Sequence, residues 1–194
     1  MNFDLSEEQH AIYDMAKTFG EDAIAPNAYA WEKAGTIPRD VLQEAGQLGL
    51  GGIYVSEEHG GSGLNRVDAT LIFEALSRSC PSVAAFISIH NMCGWMIDTF
   101  GSDEMRASQV PSLCSFERVA SYCLTEPGSG SDAAALRTKA LRTNSGYALT
   151  GTKAFISGGN YSDLYIVMSR TGDEGPKGFS ALLVETVTPG LSVG

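Results

Sequence analysis

Three observations predict an α+β chain, helical over residues 1–115 and built on strands over 116–194. Apolar residues recur at helical spacing up to about residue 115 and at strand-like spacing beyond it. Charge changes at the same place: residues 1–115 carry 16 acids and 6 bases, residues 116–194 carry 7 of each. After 115, turn clusters such as Asn144-Ser145-Gly146 separate short apolar runs. Two domains follow, 1–115 and 116–194.

In the first, Ser6 with Gln9 forms a capping-box start, and Ile12, Ala16 and Phe19 then fall on one helical face. Pro26 stops or bends that helix. Pro38 suits the first position of a second helix, whose stripe is Val41, Leu42, Ala45 and Leu48, with Gly49 just past its end. The run SEEHGGSG (56–63) reads as a loop, and residues 66–79 as a helix. Pro81 opens a segment to Gly101 that is apolar on nearly all sides, the pattern of a helix buried among helices. Ser102 caps one more. In the second domain the strand candidates are VASYCL, ALRT, YALT, LYIVMS (164–169) and FSALLVE (179–185), the last preceded by the turn GDEGPKG.

Composition excludes several functions. The formal net charge of −10 leaves no basic face for a phosphate backbone, so nucleic acid is not an expected partner. Cys80, Cys93, Cys114 and Cys123 show no C-x-x-C spacing and no neighbouring histidine pair, so they read as buried free thiols and no metal site is expected. The most apolar stretch, 83–96, is too short to span a bilayer. The start MNFDLSEEQ lacks the features of a secretion or transit signal, which points to the cytoplasm or, for a mature form, a mitochondrial matrix. His10, His59 and His90 read as surface, loop and buried polar residues without assigned chemistry.

The stretch ASYCLTEPGSGSDAAALRT (120–138) contains G-x-G-x-x-A at Gly128, Gly130 and Ala133. A nicotinamide-binding turn of that form opens a full helix and meets an acid about 20 residues on. Here residues 132–137 allow only a turn or two of helix before the Thr143–Gly146 turn, and no acid follows until Asp163. The dinucleotide-fold reading fails on both counts.

A helical domain followed by a strand running into YCLTEPGSGSD, with KAFISGG (153–159) about 20 residues later and GGSG at 60–63, resembles the acyl-CoA dehydrogenase flavoproteins over nearly the whole chain. The resemblance implies FAD as cofactor. It implies that Tyr122, Cys123, Leu124, Thr125, Glu126, Pro127, Gly128, Ser129, Gly130 and Ser131 wrap the flavin, Leu124 and Thr125 at its polar edge and Ser131 where FAD meets the CoA arm of the substrate. Phe155, Ile156 and Ser157 form the second flavin segment, the ring flanking the flavin face and the Ser157 hydroxyl near its reactive nitrogen; many members carry Trp and Thr at 155 and 157. Taken alone, Phe155 reads as strand core, Thr125 as a turn hydroxyl and Ser131 as a helix cap.

The resemblance further implies α,β-dehydrogenation of an acyl-CoA, here a short branched one, with electrons passed to an electron-transfer flavoprotein and a homotetrameric assembly. No catalytic residue is expected among residues 1–194: the family's glutamate base belongs to a C-terminal helical domain, so this stretch alone is expected to be inactive. A flavin-dependent oxidase and a truncated, non-catalytic binding module are the competing readings.

Overall fold

A computed structural model describes residues 4–173 and 175–194, so residues 1–3 of the N-terminal stretch and Glu174 of the 172–178 turn lie outside the described residues. The chain divides into two units, residues 1–118 and 119–194, helical and β-rich respectively. The architecture is α+β.

Unit 1 holds α1 (Glu7–Phe19), α2 (Ala28–Ala34), α3 (Arg39–Gln47), α4 (Arg66–Ser79), α5 (Pro81–Phe100) and α6 (Asp103–Cys114). Both halves of the capping box at Ser6 and Gln9 are formed, which satisfies two N-terminal donors that the helix itself leaves open. Gln9 also donates to Asp68 at 3.0 Å, and Asp68 caps α4 together with Asn65. One side chain thus ties the start of α1 to the start of α4. Ala16, Phe19, Ala69, Ile72, Ala75 and Leu76 are buried on these two helices.

Three details depart from the sequence expectation. The first helix does not end at a single break: a π-helical turn (Gly20–Ile24) follows it, and α2 is a separate short helix that the apolar spacing did not announce. Pro38 stands at the N-cap of α3, not inside it. Leu48 is exposed, because α3 closes there with Gly49 in the left-handed region at φ +79°.

The loop after α3 packs closely on the end of α6, where a Cβ on Gly51 would stand 2.2 Å from the Cys114 carbonyl oxygen. Asn91, fully buried on α5, accepts from the Ile53 N–H at 2.6 Å and donates to the Leu50 carbonyl at 2.7 Å and the Ile87 carbonyl at 2.9 Å. His90 donates to the Leu113 carbonyl at 2.9 Å and stacks on Phe116. Asn91 satisfies the irregular 50–53 backbone inside an apolar interior, and His90 gives a helix-end carbonyl of α6 a second partner.

Unit 2 holds β1 (Ala120–Cys123), β2 (Lys139–Thr143), β3 (Gly146–Thr150), β4 (Leu164–Arg170) and β5 (Phe179–Glu185). β4 is the spine: β1 pairs with it in parallel, β5 runs antiparallel along its whole length, and the β2–β3 hairpin joins at Lys139↔Arg170. After the glycine-rich loop comes only a 3-10 turn, Ala133–Ala135. No doubly wound βαβ unit exists among the described residues. Cys123, Tyr165 and Val167 form a buried cluster against which Ile156, Val184 and Leu191 pack. All four cysteines are buried free thiols. No helix among the described residues is long and apolar enough to cross a membrane.

Candidate cofactor site

Both candidate segments lie in unit 2, and hydrogen bonds place them side by side. β1 ends at Cys123, and the chain then turns through Pro127-Gly128, closed by the Glu126 N–H to Ser129 carbonyl bond at 2.9 Å and its return at 3.1 Å. Ser129 is buried, its hydroxyl donating to the Asp132 carbonyl at 2.7 Å, whereas Pro127, Gly128, Gly130 and Ser131 are exposed. Glycine and small polar residues on this outer edge leave the backbone open to close approach.

The second segment is irregular backbone, not a strand, across residues 151–159. It is anchored from four directions. The Ala154 N–H donates to the Thr125 carbonyl at 2.8 Å, and Ser121 on β1 donates its hydroxyl to the Ser157 carbonyl. Tyr165 on β4 donates to the Gly159 carbonyl, and Ile156 buries its side chain against the Cys123–Tyr165–Val167 cluster. Further back, Gly151 crosses Thr138 so closely that a Cβ there would lie 2.3 Å from the Thr138 hydroxyl and 2.7 Å from its Cα.

Glu126 and Lys153 stand beneath the two segments. The Glu126 carboxylate accepts from the Arg137 N–H at 2.6 Å, the Thr138 N–H at 2.9 Å and the Lys153 ammonium at 2.8 Å. Lys153 also donates to the Leu124 carbonyl at 2.9 Å. Burial pushes the Glu126 carboxyl up, but the hydrogen bonds from Lys153, Thr138 and the Arg137 backbone more than reverse this and draw it down to about 2. Burial also raises the Cys123 thiol to about 11, so it is a neutral core group.

Phe155 breaks the inward pattern of its neighbours. Its ring is 94% exposed, and its backbone sits at φ +56°. An aromatic residue in the left-handed region costs on the order of 1–3 kcal/mol, and an exposed ring recovers none of it by burial. Phe155 is therefore not strand core. It is an apolar face held outward by a backbone that Ile156, Ser121 and Tyr165 fix from below.

Of the sequence-predicted residues, Gly128, Gly130, Ser131, Phe155 and Ser157 lie on the exposed side. Tyr122, Leu124 and Thr125 are half-buried behind it. Cys123, Glu126 and Ile156 turn inward as supports. Sequence reasoning does not single out Ser121 and Tyr165 and reads Lys153 only as the first residue of the KAFISGG segment, yet all three do the anchoring. The only trace of Ser121 and Tyr165 is a serine and a tyrosine in otherwise apolar runs.

Residues 6–117 match the family model for the acyl-CoA dehydrogenase N-terminal domain, and residues 121–194 that for the middle domain. The chain belongs to the acyl-CoA dehydrogenase family. Mitochondrial isobutyryl-CoA dehydrogenase of Dictyostelium discoideum is 56% identical over 98% of this chain and 46% of its own length. Among solved structures, the FAD complex of PigA matches with a TM-score of 0.93 at 31% identity, over all of this chain and 52% of that one. A structure from work on the electron transferring flavoprotein of Acidaminococcus fermentans matches with a TM-score of 0.90 at 34% identity, over 98% of this chain and 50% of that one. The chain thus spans about half the length of the acyl-CoA dehydrogenase relatives it matches.

Proposed function

We propose that this chain supplies the FAD-holding half of an enzyme that removes hydrogen from the α and β carbons of a short branched acyl-CoA. The exposed, backbone-strained Phe155 beside the 122–131 loop carries the reading, because neither folding nor core packing accounts for it. The residues fit the cofactor by type. Phe155 offers a flat apolar face, Ser157 and Thr125 offer hydroxyls beside it, and Gly128, Gly130 and Ser131 offer open backbone and a hydroxyl to phosphate oxygens. Bound FAD would supply the hydride acceptor for the β carbon.

The α proton requires a separate base. Glu126 is unsuited, since its oxygens are committed to three donors and its pKa of about 2 makes it a poor proton acceptor at neutral pH. We assign the base to the length of the relatives that this chain does not span. Branched-chain preference rests on the 56% identity to isobutyryl-CoA dehydrogenase, with a place in valine breakdown and a mitochondrial setting following from it. Transfer of electrons to an electron-transfer flavoprotein rests on the Acidaminococcus match, and the tetramer on family membership.

Purified full-length protein should show a flavin absorbance spectrum, and isobutyryl-CoA should bleach it anaerobically faster than octanoyl-CoA does. Faster bleaching by octanoyl-CoA would overturn the branched short-chain assignment. Absence of any flavin spectrum after reconstitution with FAD would overturn the cofactor reading.

A further inference from the structure

We propose that Lys153 is a positioning residue for the cofactor: through Glu126 and the Leu124 carbonyl it sets the spacing between the 122–131 loop and the 153–159 segment. This rests on the FAD reading above. Residues 124–126 and 153–154 are cross-linked by three bonds of 2.8–2.9 Å, namely Lys153 to Leu124, Lys153 to Glu126, and the Ala154 N–H to the Thr125 carbonyl. Two of the three come from one side chain. Glu126 then extends the link to the Arg137 and Thr138 amides, so one ion pair joins three stretches of chain.

Lys153 lies two residues before Phe155, and Leu124 and Thr125 open the loop whose far side carries Gly128, Gly130 and Ser131. The exposed residues of both arms are therefore held at a separation set by a buried pair whose side chains are only 11% and 7% exposed. Such a pair contributes little net stability relative to apolar residues of similar volume. What it supplies is direction, because an ammonium and a carboxylate hold neighbouring backbone at hydrogen-bond distance, and an apolar contact does not.

The test uses the full-length protein with Lys153→Met, Lys153→Arg and the apolar pair Glu126→Met/Lys153→Met. FAD affinity, the reduction potential of the bound flavin and hydrogen exchange at the Ala154 amide are read together. Lys153→Met should weaken FAD binding at least tenfold, shift the potential, and speed Ala154 exchange at least tenfold while the β4 amides keep their protection. Lys153→Arg should return affinity to within about threefold of the parent. The apolar pair should recover thermal stability without recovering FAD affinity.

Parent-like affinity and Ala154 protection in Lys153→Met, or full recovery of FAD binding by the apolar pair, would show the pair to be structural filler and overturn the proposal. If Lys153→Met does not fold, the arginine variant and the apolar pair decide by the same criteria. If the parent protein takes up no FAD, the cofactor reading has failed, and Ala154 exchange alone decides the clamp: slow in the parent and in Lys153→Arg, fast in the apolar pair.

Discussion

Each unit buries polar groups, but to different ends. In unit 1, Asn91 and His90 sit on a regular helix and satisfy backbone of the 50–53 loop and the end of α6. Leu50, Ile53, Ile87, Leu113 and Phe116, which they bond or stack on, are all buried, so these polar groups serve the packing of the helical domain. In unit 2, Glu126 and Lys153 are charged and join irregular segments whose other sides face solvent, among them the outward-turned Phe155. A polar group inside a core satisfies the fold. A charged pair under an exposed, strained loop holds a surface in a shape the loop would not keep unaided. Unit 1 also carries an acid-rimmed hollow of about 430 Å³ over Met15, Phe19 and Leu48, bounded by Asp14, Asp22 and Glu44. None of the candidate site residues of unit 2 lines it.

The largest effect expected from breaking this comparison is in unit 1. Asn91→Leu keeps the branched side-chain shape, at a larger volume, but leaves the Ile53 N–H and the Leu50 carbonyl without their buried partner, at about 4 kcal/mol in total. Denaturant unfolding of unit 1 should show the loss, with strand signals of unit 2 unchanged. A loss below 1 kcal/mol would mean that the 50–53 loop does not depend on this side chain.

Next comes acid. The Glu126 pKa is depressed from 4.5 to about 2 on folding, so its stabilisation is fully present above about pH 4.5 and is lost as pH falls towards 2. The amount is about 3–4 kcal/mol at most, at roughly 1.4 kcal/mol per pH unit. Glu126→Gln should start less stable and lose this share of the acid dependence. Parallel stability curves for parent and variant between pH 4.5 and 2 would remove Glu126 from the account.

A smaller effect belongs to Gly151→Ala, whose new methyl meets the Thr138 hydroxyl and Cα and should cost about 2 kcal/mol through overpacking. It should lower the melting temperature of unit 2 while leaving the Glu126–Lys153 bonds formed. The smallest is Phe155→Gly. Removing an exposed ring from a positive-φ position should change stability by no more than about 0.5 kcal/mol, because relief of backbone strain offsets the added chain entropy of glycine. FAD affinity should nevertheless fall. A large loss of stability with unchanged FAD binding would return Phe155 to the core.

The sequence by itself determined the order and kind of most elements. Ser6 with Gln9, Pro81 and Ser102 mark helix starts by local chemistry that needs no tertiary partner, and all three are where the helices begin. The strand runs 164–169 and 179–185 are likewise legible, since a buried sheet requires apolar residues whatever it packs against. The two candidate segments could be named from motif and spacing. Their juxtaposition could not: Glu126 and Lys153 are 27 residues apart, and a lone lysine in a strand-like run has the pattern of a surface residue. Only the tertiary structure decided that its ammonium turns inward, that Glu126 braces the loop from within, and that Phe155 turns out. Glu126 and Lys153 turn toward the Arg137 and Thr138 amides and the Leu124 carbonyl, and the Phe155 turn is held by Ser121 on β1 and Tyr165 on β4, strands whose parallel pairing joins residues more than 40 positions apart.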